Sequence, residues 1–380
     1  MRNIERHRQA AAAGWPSQRP AALPPSLFEH LSDPERLYRI GKELRSGPRK
    51  APGSDDVRLR DLGNSELGEI ARGLSEQIRD QSFRAQVPRS VPIPKRPEPG
   101  TRTIKLPSAL EHIVATSITD LIYPAFNGVS VETSYGFRKG WSRYLMLAAV
   151  AAEVDRPEDV YLVDDDIRKA FDNIQVGQVM DLLRSHGMDE RTVQLIRMLV
   201  TAGNDDPEIG IMQGSELSPT LMNLLLHTIL DVPYRAHATG TLLHRYVDNL
   251  AVVCETQAAA EHSRARLQQL LANAGLELKG EGGGIFDLSQ QATTLLGFSL
   301  RRQQGRIVFG LPAPAETLVS GILDDLARIE DHLRRWAKEC LIGWVGSLGP
   351  AYQDTDVEAV CETALRTAAS YGFRSVVSAG

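Results

Sequence analysis

Carboxylates at the ends of apolar runs are the residues of this 380-residue chain best suited to chemistry. Tyr161-Leu-Val-Asp164-Asp165-Asp166 has strand character and ends in three acids, and alternation along a strand turns Asp164 and Asp166 to the same face. About eighty residues later, Tyr246-Val-Asp248-Asn249 divides two β-rich runs, the pattern of a hairpin with a polar tip. Carboxylates converging from separate strands can hold divalent cations, and a pair of such cations can drive transfer of a phosphoryl group. Each segment also has a plainer reading. An acidic strand end commonly opens a solvated loop, and Asp-Asn supplies positive φ in a tight turn.

The elements that must position these groups are legible from period and punctuation. Asp33-Pro34-Glu35 starts a helix with Leu37, Ile40 and Leu44 on one face, and a second helix follows Asn64-Ser65. Residues 87–106 alternate around a Pro/Gly-rich centre, which predicts two short strands and an exposed loop carrying Lys95 and Arg102. Ser108 and Glu111 form a capping box ahead of another helix. From 159 onward the order is strand (159–166), helices (176–186 and 189–200), a Pro-initiated helix (218–232), hairpin (241–254), helix (258–274) and strand, which fits a ferredoxin-like α+β unit. After Pro314 the period is helical, with Leu318, Ile322, Leu326, Ile329, Leu333 and Trp336 on one stripe, and a last helix runs from near Asp354 to Tyr371.

Composition narrows the function classes. No apolar run approaches the roughly 18 residues that span a bilayer, and the three cysteines are too few and too dispersed for a zinc knuckle or a disulfide framework. A cytoplasmic protein without membrane partners is the expectation. The net charge of −5 is unevenly spread: residues 1–110 carry 20 Lys+Arg against 13 Asp+Glu, so the rest of the chain is strongly acidic. A basic N-terminal region beside an acidic remainder suits a phosphate-rich partner at one end and cations at the other.

Taken in order, Asp166-Ile-Arg-Lys-Ala-Phe171-Asp172, Gln213-Gly-Ser-Glu-Leu-Ser218-Pro219, Tyr246-Val-Asp248-Asn249 and Leu296-Gly297-Phe298 resemble the palm motifs of a reverse transcriptase. Ala51-Pro-Gly-Ser-Asp-Asp56 and Ser134-Tyr-Gly-Phe-Arg-Lys-Gly140 resemble segments of bacterial group II intron and retron enzymes, and the likeness covers roughly residues 50–350. Asn249 departs from the family, which usually has a second Asp there. The resemblance implies an α+β right-hand polymerase: an N-terminal arm and helix (1–50), fingers with the start of the palm (51–158), a ferredoxin-like palm with the catalytic motifs (159–311) and an α-helical thumb (312–380).

It also implies RNA-directed DNA synthesis with two Mg²⁺ ions, or Mn²⁺ in their place, held by Asp166, Asp248 and the carbonyl of Ile167. Asn249 would bring only a neutral oxygen to that catalytic set and weaken metal affinity. Phe171 would lie under the incoming sugar and exclude a ribose 2′-OH. Gln213 and Gly214 would contact the nascent base pair and the dNTP sugar, Lys95 and Arg102 would clamp the triphosphate, and Lys279 would protonate the departing pyrophosphate. The implied partners are an RNA template, a DNA or RNA primer and dNTPs, with a cognate non-coding RNA or an accessory protein as further candidates. A stand-alone retron or phage-defence enzyme is the expected setting. Template-independent or protein-primed synthesis, and a degenerate palm serving as an RNA- or protein-binding scaffold, are the alternatives.

Overall fold

The computed structural model describes residues 22–47, 52–94, 101–154, 160–237, 240–327, 337–349 and 357–370. At the N-terminal end, α1 (Leu27–Leu31), α2 (Pro34–Ser46) and α3 (Asn64–Arg79) pack around the long α4 (Ala109–Val129). Helix α2 starts where Asp33 accepts from Glu35 N with Pro34 at the first helical position, and it buries Leu37 and Ile40. The hairpin of β1 (Arg89–Pro94) and β2 (Thr101–Leu106) runs antiparallel, with Arg89 opposite Leu106. The Ser108/Glu111 capping box opens α4, each residue's side chain bonding the other's backbone N–H. Glu111 is buried because its second oxygen also accepts from Gln86 N.

Helix α5 (Arg143–Val154) leads into the central sheet. Its strands are β3 (Tyr161–Asp166), β4 (Leu243–Tyr246), β5 (Asn249–Cys254) and β6 (Gly284–Asp287), in the spatial order β4-β5-β3-β6 with every neighbour antiparallel. Second strand, third, first, fourth is the ferredoxin-like arrangement that the sequence order suggested. Between β3 and β4 lie α6 (Ala170–Asn173), α7 (Val176–Ser185), α8 (Glu190–Thr201), α9 (Leu217–Leu226) and α10 (Val232–His237); α11 (Gln257–Ala272) connects β5 to β6. Both faces of the sheet are covered. Val163, Leu250 and Val252 join the large core made with the helices, whereas Leu162, Ala251 and Val253 pack with α5 and the three-stranded sheet β7 (Thr293–Leu295), β8 (Phe298–Gln303), β9 (Arg306–Gly310). Strands buried on two sides need apolar residues at successive positions, hence the continuous runs at 160–163 and 250–254.

Helices α12 (Ala315–Ala327), α13 (Ala337–Gly346) and α14 (Val357–Ser370) close the described chain around a small core of Val319, Leu323, Leu341, Ala364 and Ala368. Two sequence expectations are corrected. The helix expected over 218–232 is α9 followed by a π-helical turn, His227–Asp231, which widens the helix before α10. The buried ridge of α12 is Val319 and Leu323, with Ile322 at its edge, one position on from the expected Leu318 stripe, because α12 packs against both α13 and α14. Ile329, Leu333 and Trp336 lie outside the described residues. No described helix is long and apolar enough to cross a membrane.

Candidate active site

The register of the central sheet sets Asp166 at the end of β3 directly opposite Asn249 at the start of β5, and Asn249 in turn opposite Tyr246 on β4. Val247 and Asp248 are the two loop residues of the β4-β5 hairpin, so Asp248 sits at its tip beside Asp166. Val247 has φ of 61°, costly for a β-branched residue, and positive φ at the first loop position is the type II′ pattern favoured in two-residue hairpins.

Three contacts hold that strained turn. Arg245 donates from Nη1 to Val247 O (3.1 Å), and Ile167 N donates to Asp248 O (2.9 Å). Gly136 closes the third side: a Cβ there would stand 2.6 Å from both N and Cγ2 of Val247. Residues 133–135 run beside β4, with Tyr135 N donating to Arg245 O (2.8 Å) and Arg245 N to Thr133 O (2.8 Å).

Arg245 itself is fully buried. It makes a two-pronged ion pair with Asp231 (2.8 and 2.7 Å) and also bonds Asn223 and Ser134. The π-helical turn is what delivers Asp231 to this position, a use of helix widening common near functional sites. Sequence reasoning passed over Arg245, Asp231 and Gly136. The available signal was a charged residue at an inward-facing strand position immediately before Tyr246.

The three acids of β3 have different surroundings. Asp165 points to the helical side, where Arg264 on α11 (2.9 Å) and Gly280 N (3.1 Å) neutralise it. Asp166 lies on the opposite face, partly exposed, with Lys279 Nζ 4.0 Å from Oδ2. The segment 275–279 is laid along the chain after β3, with Arg168 N donating to Glu277 O (2.9 Å) and Lys279 N to Asp166 O (2.6 Å), which fixes Lys279 beside the acid. Asp164 is buried, and burial, followed by the charges of Asp166 and Asp165, pushes its carboxyl up to about 8. Burial likewise raises Asp248, against the smaller pull of hydrogen bonds and of Arg245 and Lys279. Asn249 donates from Nδ2 to Asp248 Oδ1 (3.3 Å), so its amide braces the neighbouring carboxylate.

Phe171, Gln213 and Gly214 gather around α6, the loop 209–214 and β2. Phe171 is half-buried on α6, and its carbonyl accepts from Ile211 N (2.9 Å). Gln213 Nε2 donates to Asp172 Oδ1 (3.3 Å), and Gln213 O accepts from Lys105 N on β2 (3.0 Å). Gly214 has φ of 120°, and a Cβ there would lie 2.1 Å from Lys105 O, so only glycine lets the loop lie on the fingers hairpin. A cavity of about 410 Å³ opens here between β2 and residues 203–213, lined by Lys105, Asp172 and Gln213 among others. Lys95 and the side chain of Arg102 lie outside the described residues; the backbone of Arg102 belongs to β2, opposite Ile93.

The donor set suits a hard divalent cation. Asp166 and Asp248 offer carboxylate oxygens, and Asp164 on the same face as Asp166 is a buried acid with no positive charge set against it. Among the described residues no three His, Cys, Asp or Glu side chains are gathered tightly enough to enclose an ion alone.

A ferredoxin-like sheet with acids at the end of its first strand and at the tip of its central hairpin, flanked by a fingers hairpin and a helical thumb, defines the palm of a right-hand polymerase. The chain belongs to the reverse transcriptase (RNA-dependent DNA polymerase) family, whose sequence model matches residues 93–298. Among curated proteins, it is 23% identical over 209 residues to the group II intron-encoded protein LtrA of Lactococcus lactis subsp. cremoris, covering 53% of this chain and 34% of that protein. It is 27% identical over 208 residues to the putative COX1/OXI3 intron 2 protein of Saccharomyces cerevisiae, covering 53% of this chain and 24% of that protein. The chain thus spans about a third or less of the length of these relatives. Among solved structures, apo telomerase from Candida tropicalis superposes with a TM-score of 0.45 at 11% identity, covering 76% of this chain and 62% of that one.

Proposed function

We propose that this chain joins dNTPs to a primer 3′-OH on an RNA template, with Asp166 and Asp248 as the principal metal ligands. The observation that carries the reading is the register of the palm: within the family-matched segment, β3 and the β4-β5 hairpin bring these two acids side by side from opposite ends of an 82-residue interval. Bound Mg²⁺ would supply activation of the 3′-OH and charge neutralisation at the leaving pyrophosphate.

The chain's own residues do the rest. Asp166, Asp248 and the Ile167 carbonyl hold the ions, and Asn249 orients Asp248 through its amide rather than adding charge. Phe171 fills the space under the sugar, so a 2′-OH is rejected by exclusion. Gln213 and Gly214 seat the nascent base pair, Lys95 and Arg102 bind the triphosphate, and Lys279, held beside Asp166, gives a proton to pyrophosphate.

The test is incorporation of labelled dNTPs by the purified chain on a primed RNA template in Mg²⁺ and in Mn²⁺, with Asp248→Ala as control. Incorporation by the parent and none by the variant is the expected result. Equal incorporation by both would overturn the assignment, and products made without RNA would replace it with template-independent synthesis. Sequencing of products primed on co-purified nucleic acid would identify the natural template and, through it, a retron or defence setting.

A further inference from the structure

Asp164 is the one carboxylate of the β3 trio without a partner. It is only 8% exposed, yet it makes no hydrogen bond or ion pair with any described residue, whereas Asp165 is neutralised by Arg264 and Asp166 stands beside Lys279. A carboxylate withdrawn from water without a counter-charge is costly, so a buried one usually has a cation or a donor to meet.

Its surroundings leave room for one. Strand alternation places Asp164 on the face of β3 that carries Asp166. Its direct neighbours across the sheet are Ala251 on β5 and Gly284 on β6, a methyl group and no side chain at all. A Cβ built on Gly284 would meet nothing within 4 Å. The carboxylate therefore borders open space on the same face as the metal-binding acid, in a site where the position opposite Asp166 is the neutral Asn249.

We propose that Asp164 supplies the negative charge that Asn249 lacks, accepting hydrogen bonds from water on the cation that Asp166 and Asp248 would hold. Two residues along a strand span roughly 6.6 Å, a separation that suits contact through water better than a shared direct bond. The inference rests on the metal-dependent reading of the site given above.

The experiment is Mn²⁺ titration of the full chain followed by electron paramagnetic resonance, paired with thermal unfolding with and without Mn²⁺. Asp164→Asn should weaken Mn²⁺ binding by about 10- to 100-fold and shrink the Mn²⁺-induced rise in Tm, while the metal-free Tm stays level or increases. Adding Asn249→Asp to that variant should restore binding, since it returns one carboxylate to the same face. Asp164→Ser provides the same reading should the amide crowd the strand.

Mn²⁺ affinity within about twofold of the parent in both Asp164 variants would overturn this inference and leave the metal site intact. Loss of affinity without rescue by Asn249→Asp would overturn the charge account. Absence of Mn²⁺ binding by the parent chain would overturn the metal reading itself.

Discussion

Asn249 and Asp164 show how much depends on single atoms in this palm. Asn249 replaces a charge with an amide that donates to Asp248. Asn249→Asp should therefore lower the metal-free Tm, through like-charge repulsion among Asp166, Asp248 and the new acid, yet enlarge the Mn²⁺-induced stabilisation; calorimetry with and without metal reads both effects. Asp164 gives a pH signature of its own. Its folded carboxyl is raised to about 8 from an ordinary value of 3.8, so the fold favours the protonated form. The associated stability is fully present below about pH 4 and is lost as pH rises toward 8. In EDTA the parent should lose on the order of a few kcal/mol across that window, and Asp164→Asn should flatten the profile measured by urea denaturation. An unchanged slope in the variant would assign the dependence elsewhere.

At the scale of elements, the β4-β5 hairpin turns through a two-residue loop kept in an unfavourable conformation by what surrounds it. The Arg245–Asp231 pair joins β4 to the π-helical turn, and Arg245 also reaches Val247 O. Arg245→Met would leave Asp231 as an uncompensated buried charge and should cost about 3 to 5 kcal/mol in denaturant unfolding. Asp231→Asn/Arg245→Met together should recover part of the loss, because no charge is then stranded. Gly136→Ala acts on the same turn from the other side. Its new Cβ would press on the Val247 backbone, so dNTP incorporation should fall at least tenfold while the far-ultraviolet circular dichroism stays that of the parent.

At the scale of the whole molecule, the palm and the helical thumb are in contact through two side chains of α5. Tyr144 donates to Ser347 O (2.8 Å), just past α13, and packs edge-on against Phe298, while the Arg143 guanidinium lies 5.1 Å above the Phe298 ring. Phe298 opens β8 directly after the Leu296-Gly297 turn, whose two residues both have positive φ. This junction ties the Leu296-Gly297 turn, which we propose supports the primer terminus by its likeness to the family's primer grip, to the thumb. Tyr144→Phe should leave single-nucleotide addition near the parent rate and shorten the products made in one binding event, as read on a trap-challenged primer-extension gel. Equal product lengths would remove the junction from primer handling.

Local physics made much of this protein legible from its residues. The capping box at Ser108 and Glu111, the Pro34 helix start, the paired strands around residues 95–100 and the α/β order of the palm are written in short-range period and in caps, and the motif order singled out Asp166 and Asp248, whose backbones the sheet register sets beside one another. Tertiary structure decided what no local pattern encodes. Asp165 and Asp164 are adjacent acids with the same local sequence, yet one meets Arg264, 99 residues away, and the other meets open space, because the alternation of the strand sends them to different partners. The burial of Arg245, the π-helical turn that brings Asp231 to it and the approach of Gly136 to Val247 are likewise products of long-range packing. Periodicity reports which face of an element is turned inward; which charge it meets there depends on segments folded in from elsewhere in the chain.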